Sequence, residues 1–298
     1  ESVNRPDYAR KLYLIENCIY GVDIQPIAIQ ISKLRFFISL VVDQKANDNP
    51  TENFGIRPLP NLEAKFVAAN TLIGLDKKDV SLFDSAEIKE KENELKVAKH
   101  KIFYSKYKTK RKYRQIVNSL RLEIATLLED CGAVGNAEAQ QLASWDMFDQ
   151  NASSPFFDPE WMFDVKDGFD IVIGNPPYKI LTKNNTKDID KYINKYVSIK
   201  RANSKNLYTL FIESSIVYLL QSKGLLSFIV PEGLYKTRSY NDCVDVMEKN
   251  GSTLLCADFE DYVFESAITG NVIFVYEKGI NKELALYHFD KNLVITRV

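Results

Sequence analysis

The 298 residues carry 39 Lys and Arg against 40 Asp and Glu, a formal net charge of -1, and 45% of them are hydrophobic. A chain of this size can bury a substantial core as one large domain or two small ones, and it lacks the global basic bias that draws a whole protein to a polyanion. Four cysteines (Cys18, Cys131, Cys243, Cys256) and two histidines are scattered without metal-ligand spacing, which argues for reduced thiols and against a zinc site or a disulfide framework. No apolar run reaches the ~20 residues that span a bilayer and no signal peptide opens the chain, so a cytoplasmic location is expected.

Residues 7–17 predict a short helix and residues 18–24 a strand that ends at Asp23 and Ile24. Pro26 follows as the first residue of a helix to about Val42, which puts the Asp23 carboxylate at a strand-to-helix turn. In nucleotide-type α/β folds an acidic residue there accepts from ribose hydroxyls; it is equally read as a helix N-terminal Asp that complements the dipole. The helix itself is apolar on nearly all sides and is expected to be buried. Residues 65–69 predict another short strand, after which Asn70 is placed either to meet an adenine ring or simply to close a turn.

From Asp76 to Asp130 proline and glycine disappear and the composition predicts long helices interrupting the strand-helix alternation. Between Lys96 and Arg121 lie ten Lys or Arg and no acidic residue, interleaved with Phe103, Tyr104, Tyr107 and Tyr113. That pattern suits a phosphate backbone, although a solvated helical face is the commoner source of such a run. One more helix is expected from Ala137 to about Phe148, and residues 156–163 read as an aromatic loop packed on the sheet.

The β-branched run at residues 169–174 stops at Gly174-Asn175-Pro176-Pro177-Tyr178. Neither proline can donate to a sheet ladder, so the four residues form a rigid loop at a strand's carboxyl end, the edge where open α/β sheets bind ligands. Asn175 offers a carbonyl acceptor, Pro176 a backbone carbonyl, and Tyr178 a flat aromatic face. Together they are able to grip a planar amine and leave its lone pair free for an electrophile. The plainer reading of Asn-Pro-Pro is a turn and nothing more. The segment from Lys179 to Lys205 is basic and reads either as a mobile lid over a phosphate backbone or as a surface loop. Helix-strand units follow: a helix from Asn206 and a strand closed by Pro231, then a helix near residues 240–249 and strands at 254–259, 271–276 and 284–289.

The order of these pieces resembles the adenine-specific DNA methyltransferases that use S-adenosylmethionine, in particular type IIG restriction-modification proteins. The matching blocks are Tyr20-Gly-Val-Asp23-Ile-Gln-Pro26, Asn70-Thr71-Leu-Ile, Phe169 through Tyr178, Asn206-Leu-Tyr-Thr-Leu-Phe211, Gly224 through Pro231, and Val263-Phe264. The resemblance implies a Rossmann-like α/β sheet with a long helical insertion, divided as residues 1–75, 76–130 and 131–298. It implies cofactor contacts at Asp23 and Ile24 (ribose) and at Asn70 and Thr71 (adenine). It places a flipped adenine on Asn175, Pro176, Pro177 and Tyr178, with Phe264 and Lys179 as further substrate contacts and double-stranded DNA as the partner. Proteins that methylate a glutamine amide or RNA resemble the motif too, and a non-catalytic DNA-binding module of the same fold is a third reading.

One departure matters. The family carries a glycine-rich loop after its first strand for the methionine end of the cofactor, and no Gly-x-Gly occurs anywhere in this chain; Gly132-Ala-Val-Gly135 follows a helix and has the wrong context. With no initiator methionine before Glu1, the chain reads as a piece that lacks the first, central strand and half the cofactor pocket. By itself it is expected to bind S-adenosylmethionine weakly or not at all, and a titration giving micromolar affinity would refute this.

Overall fold

The computed structural model describes residues 6–57, 62–74, 86–104, 107–132, 134–149, 151–186, 189–202, 205–260, 263, 270–279 and 283–297. The chain divides into two compact units, Glu1–Asp164 and Val165–Val298. Among the described residues no helix is long and apolar enough to cross a membrane.

The first unit contains α1 (Pro6–Asn17), β1 (Gly21–Asp23), α2 (Pro26–Val41), β2 (Phe66–Ala68), α3 (Ala86–Tyr104), α4 (Tyr107–Asp130), α5 (Asn136–Ser144) and α6 (Pro159–Phe163). β1 and β2 pair in parallel, with Gly21 opposite Phe66 and Asp23 opposite Ala68. A Cβ on Gly21 would lie 2.4 Å from the Phe66 ring, so glycine is what lets the ring close over its neighbouring strand. Phe66 packs in turn against Phe36 of α2 with tilted rings 4.9 Å apart, and with Ile29 and Leu40 these side chains form a small core.

Helix α2 departs from the expectation of all-round burial. Ile29, Phe36 and Leu40 share the packed face, whereas Ile27, Ile31, Leu34 and Ile38 are each more than half exposed. At spacings of four, three and four residues they form a stripe on the other side. Composition made nearly every face of this helix apolar, and packing among the described residues covers one.

The second unit carries β3 (Phe169–Gly174), α7 (Ile189–Lys195), α8 (Leu207–Ser214), β4 (Leu220–Pro231), α9 (Gly233–Lys236), α10 (Asn241–Asn250), β5 (Gly251–Phe259), β6 (Asn271–Lys278), β7 (Ala285–Phe289) and β8 (Ile295–Arg297). Its sheet runs β3-β4-β6-β5-β7-β8; β3 is parallel to β4, β6 is antiparallel to both its neighbours, and β7 is parallel to β5. Leu226, Phe228 and Val230 of β4 and Val272, Phe274 and Tyr276 of β6 are buried at every second residue, the signature of strands with one face on a core. Each fully buried side chain of this kind contributes about 1.5–3 kcal/mol. The fold is thus mixed α/β with a helical insertion, and its described strands fall into two sheets. β3 is an edge strand on which Ile171 and Ile173 are exposed.

The helical insertion forms as α3 and α4, but its basic run is not one solvated face. Lys99 and Arg121 are only 5% and 3% exposed. The Lys99 ammonium donates to the Trp161 carbonyl at 2.8 Å and pairs with Asp164 at 3.6 Å. The Arg121 guanidinium donates to the carbonyls of Leu142 and Ala143 and lies over the Trp145 ring, while Arg114 lies over Phe148. These three cations fasten the helices to residues 142–164. Lys96, Lys101, Arg111 and Lys112 remain exposed.

Candidate active site

The loop after β3 is held from both sides. Upstream, Gly174 pairs with Phe228 of β4, and Gly174 has room for little else, since a Cβ would meet the Phe228 ring at 3.1 Å. Downstream, the Lys179 carbonyl accepts from Leu207 N–H at 2.8 Å and Ile180 bridges Asn206, whose side chain caps α8. Between these anchors Asn175 and Pro177 are exposed and Pro176 is buried. Among the described residues nothing donates to the Pro176 carbonyl or engages the Asn175 amide, so both acceptors remain unspent.

Tyr178 is 37% exposed, with its ring edge-on to Tyr208 at 6.3 Å between centroids. Its hydroxyl donates to the Ile229 carbonyl of β4 at 2.9 Å and accepts from the Asn271 amide of β6 at 3.4 Å. Burial pushes the phenol up to about 12, so it is neutral through the physiological range. The sequence assigned Tyr178 a role; it assigned none to Tyr208, inside a matching block, or to Asn271, at the head of a strand that it read.

Lys179 and the basic segment behave differently from a lid. The Lys179 ammonium donates to the Asn185 carbonyl at 3.2 Å, and Asn185 binds back to Ile180 and Thr182, which folds the residues after Tyr178 into a tight turn. Beyond it α7 buries Ile189 and Tyr192. The buried Glu213 carboxylate accepts from the N–H groups of Val197 and Ser198 at 2.9 and 2.7 Å. Buried Asp242 accepts from the Arg201 backbone and guanidinium, both at 3.0 Å. Buried carboxylates that receive backbone N–H groups fix a chain segment, and the described part of this one is therefore a packed element of the unit. Phe264 lies outside the described residues.

In the first unit the structure brings the two other candidate positions to one strand edge. Asp23 ends β1, its carboxylate accepting from Gln25 N–H at 2.7 Å in a tight turn before α2. Ala69 N–H donates to the Asp23 carbonyl, and Asn70 follows at the end of the neighbouring parallel strand, where its side chain accepts from Leu72 N–H at 3.1 Å and its own N–H donates to Ser154. Ile24 is exposed and Thr71 half-buried beside them.

The sequence pattern of the Eco57I restriction-modification methylases matches residues 17–264, a span that holds both strand edges and the loop. The chain belongs to the Eco57I restriction-modification methylase family. A Methanocaldococcus jannaschii protein described as a type II restriction enzyme and methyltransferase is 26% identical over 349 aligned residues, covering 95% of this chain and 28% of its own. The type II methyltransferase M.AccI of Acinetobacter calcoaceticus is 34% identical over 109 residues, 36% of this chain and 20% of its own. The chain thus spans less than a third of the length of either curated relative. A solved class I S-adenosylmethionine-dependent methyltransferase of Listeria monocytogenes superposes with a TM-score of 0.38 at 15% identity, over 95% of this chain and 64% of that one.

S-adenosylmethionine is the methyl donor expected with an Eco57I-family methylase. The residues present fit part of it. An exposed carboxylate and a side-chain amide at the ends of two adjacent parallel strands suit a ribose and an adenine.

Proposed function

We propose that this chain is the catalytic part of a site-specific DNA adenine-N6 methyltransferase, the modification arm of a restriction-modification protein. The observation that carries the reading is the loop after β3, with two unspent acceptors beside a tyrosine whose hydroxyl is tied from two strands. A flipped adenine would stack on Tyr178 and donate one amino hydrogen to Asn175 Oδ1 and the other to the Pro176 carbonyl. Both hydrogens then lie in fixed directions, and the nitrogen lone pair is turned toward the electrophile. S-adenosylmethionine, when bound, supplies that electrophile as a sulfonium methyl group. Pro177 keeps the loop rigid, so the acceptors need no reorganisation at the moment of attack. Asp23 with Ile24 would face the cofactor ribose, Asn70 with Thr71 its adenine, and Phe264 the flipped base. Lys179 is better placed to order the loop than to reach a phosphate, since its ammonium is engaged by Asn185.

Residues 76–130 would act as a docking element for double-stranded DNA within a division into residues 1–75, 76–130 and 131–298. The exposed Lys96, Lys101, Arg111 and Lys112 are the candidates for phosphate contacts; Lys99, Arg114 and Arg121 are not, because they are spent on the fold. The test is transfer of a labelled methyl group by the full-length protein to duplex DNA, RNA or protein. Label recovered as N6-methyladenine from duplex DNA is expected; label on a glutamine side chain or in RNA would overturn the assignment.

A further inference from the structure

A residue far from the N-P-P-Y loop in sequence meets it in space. Asn271 is the first residue of β6 and pairs with Pro231 of β4. It is 3% exposed, and its Oδ1 is buried without a hydrogen-bond partner among the described residues. Asparagine is disfavoured in strands, and a buried amide loses hydration that an apolar side chain would not have to give up. In return Asn271 Nδ2 reaches the hydroxyl of Tyr178, 93 residues away, at 3.4 Å. The orientation of the amide follows from proton counting. Tyr178 has one hydroxyl proton, which goes to the Ile229 carbonyl, so the group facing its oxygen must be a donor.

We propose that Asn271 is a positioning residue for methyl transfer: its amide, at the head of β6, holds the Tyr178 hydroxyl against the Ile229 carbonyl and so fixes the plane of the ring that covers the flipped base. A phenol tied to a carbonyl alone can slide along that acceptor. A second tie from the next strand removes the freedom, while the Tyr208 ring, edge-on at 6.3 Å, limits rotation of the ring. Asn271 touches neither base nor cofactor in this role and acts only through Tyr178. The inference rests on the reading that Tyr178 stacks on the target base.

The test is a double-mutant cycle in the full-length protein with Tyr178→Phe, Asn271→Leu and the pair, read as kcat and KM on duplex DNA. Fluorescence of 2-aminopurine placed at the target base gives a second readout. Each single variant is expected to lower kcat/KM about tenfold, the scale of one hydrogen bond, with most of the loss in kcat. The double variant is expected to be no worse than Tyr178→Phe alone, and the 2-aminopurine signal is expected to follow the same non-additive pattern. A double variant down about a hundredfold, or Asn271→Leu with unchanged rates, would overturn the proposal. Asn271→Ser is the second variant should Asn271→Leu fail to fold, and loss of folding in both would place Asn271 among purely structural residues and overturn it as well. Tyr178→Ala separates the two ideas. If it leaves methylation intact, the base-stacking reading fails; if it abolishes methylation while the cycle is additive, only the role of Asn271 falls.

Discussion

Asn175→Ala in the full-length protein is expected to slow single-turnover methylation of duplex DNA by about a hundredfold to a thousandfold, the range seen when one preorganised polar contact to a reacting centre is removed. The physical reason is specific. An exocyclic amine conjugated to a purine is a poor nucleophile because its lone pair is delocalised into the ring. In the proposed mechanism, two acceptors in fixed positions would hold its hydrogens and favour the geometry in which that pair is localised. Removing the side-chain acceptor leaves the Pro176 carbonyl to do this alone. Asn175 is exposed and takes no part in the buried core, so the variant should fold and bind DNA nearly as before, with the loss in rate rather than in KM. Asn175→Asp, which keeps an acceptor of similar shape, is expected to lose less. A variant that methylates at the parent rate would sink the catalytic assignment of the whole loop.

The second large effect concerns stability. Asp164→Asn is expected to destabilise the first unit by about 2 kcal/mol, because it leaves the nearly fully buried Lys99 ammonium with the hydrogen bond to the Trp161 carbonyl and the weaker field of the Asp158 carboxylate. The figure sits below the usual cost of orphaning a buried ion, since Asp164 is about one-third exposed and screened by water. Asn also tolerates the left-handed backbone at this position, φ 60°, so the variant isolates the charge. Adding Lys99→Met should recover most of the loss, because it removes the ion whose burial was the problem. Burial lowers the Lys99 pKa below the ordinary lysine range, with Asp164 opposing the shift. Between the lowered value and the ordinary one the unfolded chain holds the proton and the folded chain does not, so stability rises with pH through that window; Lys99→Met should flatten the rise. Both tryptophans, Trp145 and Trp161, lie in the first unit, so urea unfolding followed by tryptophan fluorescence reads this unit alone. Equal stabilities for the parent and Asp164→Asn would show that the ion pair contributes nothing.

Much of the site was legible because its signals are local. A β-branched run ended by two prolines dictates a strand and a rigid turn whatever surrounds it, and Asp23 before Gln25-Pro26 dictates a strand-to-helix turn; both stand where expected. The segment from Lys179 to Lys205 was harder. Its charge suggested either a mobile lid or a plain surface loop, but charge says nothing about Glu213 and Asp242, the carboxylates elsewhere in the chain that pin its backbone.

By itself, then, the sequence determined the family, the strand that delivers Asn175 to Tyr178 and the strand-to-helix turn at Asp23, because those rest on residue type and short spacing. The tertiary structure alone decided which cations of the helical insertion are buried, which face of α2 is packed, and that Asn271 meets Tyr178. Burial and pairing across 93 residues depend on where distant elements come to lie, and periodicity within one element carries no record of its neighbours.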